Sequence, residues 1–196
     1  MKVKVNNILL ESETVVTAYD AIKEAELISR EVIAASVNGE TVDLSTPIQD
    51  GDSVSPLTFA DEGGKRTFNH TASHVLAQAV KRLYPNAKLT IGPSIEEGFY
   101  YDIDSDVAFG PEALTALEGE MKKIIKENLK LERFTLPREE AIALMEEKGE
   151  PYKVLLIGRV PEGEEISFYR QGEFVDLCAG PHLFATGAIK AFKLTQ

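Results

Sequence analysis

Polar and apolar residues alternate at the start of the chain, in Lys2-Val3-Lys4-Val5, and a second apolar run, Ile8 to Leu10, follows Asn6-Asn7. Alternation suits a strand with one buried face, and the asparagine pair suits a two-residue turn, so the pattern predicts a β-hairpin. The period then changes. Thr17 with Asp20 three residues on resembles a capping box, and Ala18 to Ile28 places Ala21, Ile22, Ala25 and Ile28 on one helical face. Val32 to Val37 reads as a strand, Asn38-Gly39 as a type I′ turn, and Glu40 to Leu44 as the return strand. Pro47 to Asp52 is a loop before a last strand, Ser53 to Phe59. Hairpin, helix, hairpin and final strand make a β-grasp, ubiquitin-like pattern. Asp61-Glu62-Gly63-Gly64-Lys65-Arg66 reads as a linker. The boundary is expected there, giving domains over residues 1–62 and 63–196.

Beyond it the pattern is mixed. Phe68 to Leu83 is predicted helical and stops before Pro85. Ala87 to Ile91 reads as a strand that Gly92-Pro93 breaks, and Gly98 to Ile103 as an aromatic strand. Pro111 to Lys130 is a long amphipathic helix with Leu114, Leu117, Met121, Ile124, Ile125 and Leu129 on one side. Leu131 to Leu136 is a strand, and Pro137 opens a helix ending near Gly149. Pro151 to Ile157, Ile166 to Arg170, Phe174 to Leu177 and Lys190 to Leu194 read as strands. The fold class is α+β, with a small β-grasp domain followed by a larger α+β domain whose sheet is mixed or antiparallel.

Composition narrows the setting. At 196 residues and 43% apolar content, the chain can bury an ordinary core. No apolar run approaches the roughly 18 residues that suggest a membrane span, so no membrane partner is expected. The N-terminus lacks the apolar core of a signal peptide. A single cysteine excludes an internal disulfide framework and fits a reducing cytoplasm. Net charge is −11, a poor global match for nucleic acid. The acidity is uneven: residues 1–62 hold 4 basic and 12 acidic residues, the remainder 17 and 20. The second unit is thus near neutral and has room for a local basic surface.

All three histidines and the only cysteine fall into two i,i+4 pairs, His70/His74 and Cys178/His182. On a helix such a pair shares a face. Three imidazoles and a thiol are a ligand set for tetrahedral zinc, structural if all four bind. The same groups can instead work without metal, an imidazole taking the proton of a water that attacks an ester or amide. Asp176 precedes Cys178 by two and in a strand shares its face; it can orient an imidazole or hold a substrate ammonium. Lys153 stands in Tyr152-Lys153-Val154-Leu155. The ordinary alternatives are capping histidines, a small buried thiol, a solvated strand-end carboxylate and a solvated lysine. Of the aromatics, Phe99 is expected in the core, with Tyr101 on its face and Tyr100 opposite. No phosphate loop, dinucleotide fingerprint or nucleophile elbow is present in the sequence.

The segments His70-Thr71-Ala72-Ser73-His74, Leu89-Thr90-Ile91-Gly92-Pro93, Gly98-Phe99-Tyr100-Tyr101-Asp102, Tyr152-Lys153-Val154, Asp176 to His182 and Ala191-Phe192-Lys193-Leu194 resemble, in order and spacing, the N-terminal half of bacterial threonyl-tRNA synthetases. Residues 1–60 resemble that family's TGS domain, which is of β-grasp type. The HxxxH…CxxxH pattern alone is shared with alanyl-tRNA synthetase editing domains and their free-standing relatives. The resemblance implies an editing domain that hydrolyses serine wrongly esterified to threonine tRNA. An active site for threonine cannot strongly reject a residue one methyl smaller, since such a difference is worth about 1–3 kcal/mol. By the same resemblance His70, His74, Lys153, Asp176, Cys178 and His182 line the site. His70 and Lys153 would position and activate water, and Asp176 would hold the amino-acid moiety. His74, Cys178 and His182 would shape the pocket, and Gly92 and Tyr101 would seat the terminal adenosine. No cofactor is required in this reading; zinc on His70, His74, Cys178 and His182 remains an alternative.

Asn69, Ser73 and Ala179 depart from the family's usual residues without removing a proposed catalytic group. The family continues into aminoacylation and anticodon-binding domains, so an excised fragment is expected, unable to charge tRNA by itself. Its expected partners are those domains and the serine-bearing acceptor end of threonine tRNA. Two alternatives stay open. One is a free-standing zinc-dependent deacylase of the alanyl type. The other is a non-catalytic module stapled by zinc that binds RNA or a partner.

Overall fold

The structure is a computed structural model describing residues 1–195; Gln196, the last residue of the second expected domain, lies outside the described residues. Contacts group the chain into two units. One is Met1–Thr71 with Gly180–Phe184; the other is Ala72–Ala179 with the chain from Ala185 onward.

In the first unit the alternating stretches form β1 (Lys2–Val5) and β2 (Ile8–Glu11), followed by α1 (Ala18–Glu24), β3 (Ala34–Val37), β4 (Glu40–Val42) and β5 (Ser53–Leu57). The sheet order β2-β1-β5-β3-β4 is that of a β-grasp, with β1 and β5 parallel and the other pairs antiparallel. Val3, Val5 and Val54 meet Ala18, Ala21 and Ile22 of α1 in the core. Thr17 caps α1 in a full capping box with Asp20, whose carboxyl is held below its usual range by that hydroxyl. The helix ends at Glu24, short of the expected Ile28. Glu26 takes a left-handed backbone (φ 59), and Leu27 N donates to Ile22 O at 3.0 Å, closing the helix as a Schellman cap.

α2 (Glu62–Leu83) starts earlier than the hydrophobic pattern predicts. The expected linker 61–66 is largely its first turns, with Lys65 N donating to Asp61 O at 2.8 Å. The glycines there serve close approach. A Cβ on Gly64 would stand 1.9 Å from the Thr58 carbonyl oxygen.

The second unit contains four short strands, β6 (Lys88–Leu89), β7 (Ser94–Ile95), β8 (Gly98–Phe99) and β9 (Ile103–Asp104). They pair as β6–β9 and β7–β8, so the single expected aromatic strand is split. α3 (Pro111–Glu127), β10 (Leu131–Leu136), α4 (Arg138–Glu147), α5 (Pro151–Arg159), β11 (Ile166–Gln171) and β12 (Phe174–Leu177) follow. β10, β11 and β12 form an antiparallel sheet whose Ile166 and Phe168 pack with Ala141, Met145 and Ile157 of α4 and α5.

Two expected strands are absent. Pro151 to Ile157 is the helix α5: Pro151 sits at its first turn, and Val154 and Ile157, three apart, face the core. Lys190 to Leu194 carries no strand. Lys193 Nζ and Leu194 N both donate to the Glu118 carboxylate of α3, at 3.1 and 2.9 Å, so a side chain anchors this segment where a ladder was expected. Among the described residues no helix is long and apolar enough to cross a membrane.

Candidate functional site

α2 places His70 and His74 one turn apart, as their spacing predicts. Their settings differ. His70 is half-buried, whereas His74 lies in a buried run from Thr71 to Val80. In the first unit, His70 and the buried His182 bring their rings to 4.2 Å between centroids at a 30° tilt.

Hydrogen bonds fix how both rings are used. His70 Nδ1 lies 3.2 Å from the Pro181 carbonyl oxygen, which can only accept, so Nδ1 carries the hydrogen. Thr71 Oγ1 donates its one hydrogen to Thr67 O at 2.9 Å and accepts from Leu183 N at 2.9 Å. Its remaining lone pair faces His182 Nδ1 at 3.0 Å, so that nitrogen also carries hydrogen. With Nδ1 the donor in both rings, Nε2 is the nitrogen that carries proton-accepting or metal-binding chemistry when the ring is neutral.

The second unit holds the charged counterpart. Lys153 Nζ lies 2.7 Å from Asp176 Oδ1, with the two side chains 4% and 3% exposed. Tyr101 donates its hydroxyl to Asp176 Oδ2 at 2.6 Å and accepts from Lys153 Nζ at 2.9 Å. Burial first, and then the Asp176 carboxylate, push the Tyr101 hydroxyl well above its ordinary range, so it stays a donor. His74 Nε2 stands 3.8 Å from Asp176 Oδ2. Asp176 lies in β12, and Lys153 comes from the helix α5, which buries it where a strand start would leave it solvated.

Gly92 lies against this centre. A Cβ there would stand 2.2 Å from Tyr101 Cδ2, so only glycine lets the ring sit where it does. Ser73 of α2 donates to the Gly92 carbonyl at 2.7 Å. Phe99 and Tyr101 are half-buried and Tyr100 is exposed, and all three line a cavity of about 500 Å³ with Phe109 and Leu114. Cys178, half-buried just past β12, is held by its backbone: its amide donates to Ser167 O, and its carbonyl accepts from Ser167 Oγ at 2.7 Å.

His70 and His182 in the first unit, and His74 and Cys178 in the second, make up a donor set of the kind that can hold a metal ion. The donor set and the hydrogen-bonded Nδ1 atoms suit zinc, which four protein ligands would enclose as a structural ion.

Sequence reasoning missed Thr71 as the group that fixes the His182 tautomer, and its only signal was a hydroxyl next to His70. It assigned Tyr101 to a base and overlooked its bond to Asp176. Ser73 stood out only as a departure from a family pattern.

Residues 166–196 match the family described as the threonyl and alanyl tRNA synthetase second additional domain. The chain is similar to the threonine–tRNA ligase of Acetivibrio thermocellus, 64% identical over 167 residues, covering 85% of this chain and 26% of that protein. It is similar to the threonine–tRNA ligase of Clostridium tetani, 54% identical over 195 residues, 96% of this chain and 30% of the other. The same name is borne by a relative from Clostridium botulinum, 60% identical over 174 residues, 89% of this chain and 27% of that one. The chain spans 26–30% of the length of these curated relatives.

Proposed function

We propose that this chain is the N-terminal editing region of a threonyl-tRNA synthetase and hydrolyses seryl-tRNA formed in error on threonine tRNA. The observation that carries the reading is the pair of imidazoles, His70 and His182, whose Nδ1 atoms each hydrogen-bond an oxygen, which makes Nε2 the basic nitrogen of the ring in its neutral form. Similarity to threonine–tRNA ligases supports tRNA as the substrate class.

In this reading His70 accepts a proton as water adds to the ester carbonyl, and the proton then passes to the departing ribose oxygen. Lys153, already paired with Asp176, acts as a hydrogen-bond donor that orients the water and steadies the developing oxyanion. The Asp176 carboxylate attracts the serine ammonium, with the Tyr101 hydroxyl holding it in place. His74, Cys178 and His182 shape the pocket, and Gly92 and the face of Tyr101 receive the terminal adenosine. Residues 1–62 act as a TGS domain, and the reaction takes place in the cytoplasm.

The test is a deacylation assay of the 196-residue chain at high protein concentration, with seryl- and threonyl-tRNA as substrates. Selective loss of serine supports the reading; equal cleavage of both, or of neither, overturns it. The donor set of His70, His74, Cys178 and His182 supports a second reading, a zinc-dependent deacylase in which one of the four stays off the metal and leaves a position for water. There, activity lost to a chelator would return with zinc.

A further inference from the structure

The segment Gly180–Phe184 groups with the β-grasp unit, and the contacts that hold it there are specific. Asp43, immediately past β4, accepts the His182 backbone amide on Oδ1 at 2.5 Å. It is 8% exposed, so its carboxylate is a buried charge answered by a backbone donor. A turn fixes its own position, with Thr46 N donating to Asp43 O at 3.1 Å. Further along the segment, Leu183 is buried and its amide donates to Thr71 Oγ1. The Phe184 ring stacks on Tyr19 of α1 at 6.4 Å and 20°.

His182 is thus held twice: Asp43 fixes its backbone, and Thr71 fixes its ring through Nδ1. With both in place the ring stands 4.2 Å from that of His70. Thr71 belongs to the helix that carries His70, but Asp43 follows directly on β4 of the N-terminal β-grasp sheet. Residues 1–61, ahead of that helix, have no other group assigned a part in the chemistry.

We propose that Asp43 is a positioning residue for the hydrolysis, and that the β-grasp unit takes part in the reaction by clamping the backbone of His182. The proposal rests on the editing reading. Its consequence is that the small acidic domain is a working part of the hydrolase as well as a docking or spacing module. Loss of the clamp lets the segment slide along its Thr71 contact. The His182 ring then turns out of register with His70, while the groups that bind the seryl ester stay in place.

The experiment compares Asp43→Asn, which keeps a carbonyl oxygen for the His182 amide, with Asp43→Ala, which keeps none, both in the full 196-residue chain. Steady-state deacylation of seryl-tRNA is measured beside thermal unfolding and the imidazole NMR signals, which three histidines make simple to assign. For Asp43→Ala, kcat is expected to fall about ten- to a hundredfold with KM near the wild-type value, as for a misplaced group. Asp43→Asn should stay within about threefold of wild type, a neutral hydrogen bond replacing a charge-assisted one. The His182 signals should move in the alanine variant and return in the asparagine variant. Wild-type kcat in Asp43→Ala, or equal loss in both variants, overturns the proposal. So does unchanged His182 resonance in a folded Asp43→Ala protein. If Asp43→Ala does not fold, Asp43→Ser, whose shorter hydroxyl reaches the amide poorly, takes its place against Asp43→Asn. If the wild type shows no turnover of seryl-tRNA, the editing reading has failed, and the NMR comparison still decides whether Asp43 clamps His182.

Discussion

His70 with His182, and Lys153 with Asp176, are two pairs built on opposite terms. The imidazoles are anchored at Nδ1 by a carbonyl and a hydroxyl, and His70 is half open to solvent. The ion pair is almost fully enclosed, at 4% and 3% exposure, and bracketed by the Tyr101 hydroxyl. Taking two charges out of water costs several kcal/mol per ion, so this pair stands only because each charge meets its counterpart and a further hydrogen bond. An imidazole, which can be buried in its neutral form, need carry no such cost. Catalysis can therefore be altered at the imidazoles with little change in folding, whereas at the ion pair function and stability are coupled.

Asp176→Ala tests that contrast hardest. It leaves the Lys153 ammonium buried without its carboxylate and should cost about 3–5 kcal/mol in denaturant unfolding. Replacing both partners at once, Asp176→Leu with Lys153→Met, should recover much of that loss while leaving deacylation absent. If Asp176→Ala melts with the wild type, the pair is not the stability element described. His70→Ala tests the other side of the contrast, with the largest expected effect on activity. Deacylation of seryl-tRNA should fall by about 10²–10⁴, the range of a lost general base. Unfolding should shift by no more than about 1 kcal/mol, because no charge is stranded. A His70→Ala protein that clears seryl-tRNA at the wild-type rate ends the proton-acceptor assignment.

The contrast also explains what the sequence could reveal. The β-grasp order was legible because its signals are local: alternation in Lys2–Val5, the capping box at Thr17, and Asn38-Gly39 between two strands. The histidine spacing was legible for the same reason. Lys153 was misread because seven apolar-rich residues suit a short buried strand or a helix segment equally, and only tertiary packing of Val154 and Ile157 decides. The linker was misread because Gly63-Gly64 reads as punctuation, although the pair allows close approach to Thr41 and Thr58. Thr71 and Asp43 could not be found at all. Their partners lie more than a hundred residues away, and nothing in a neighbouring residue announces such a bond.

Gly92→Ala probes the support of the ion pair and leaves its charges in place. The new methyl would overlap the Tyr101 ring, whose nearest carbon would be 2.2 Å away, so the ring or the Gly92 backbone must shift, which is expected to disturb the hydroxyl's bond to Asp176. Overpacking of this kind costs about 1–3 kcal/mol. A raised KM for seryl-tRNA with a smaller change in kcat would fit a displaced binding wall. Ser73→Ala, which removes only the donor to the Gly92 carbonyl, should cost about 0.5–1.5 kcal/mol and shift KM in the same direction.

The smallest effect belongs to a charge cluster near the protein surface, and it isolates burial as the variable. Arg82 donates to both oxygens of Glu127 at 2.7 and 2.9 Å and to Glu173 at 2.7 Å. The Arg82 hydrogen bond is the main cause that lowers the Glu173 carboxyl from an ordinary 4.5 to about 2. A depressed folded value means the stabilisation is complete above about pH 4.5 and disappears as the pH falls through about 2. The Glu173 side chain is 59% exposed, however, so solvent and salt screen most of that shift. Glu173→Gln should therefore cost only ~0–1 kcal/mol at pH 7, the range of exposed ion pairs. The gap from wild type should close between about pH 4.5 and pH 2 and shrink in high salt. Urea unfolding of both proteins across that range makes the measurement. Should Glu173→Gln prove as costly as Asp176→Ala, enclosure would not be what separates the two ion pairs. The Lys153–Asp176 pair would then need another explanation for its expected hold on the fold.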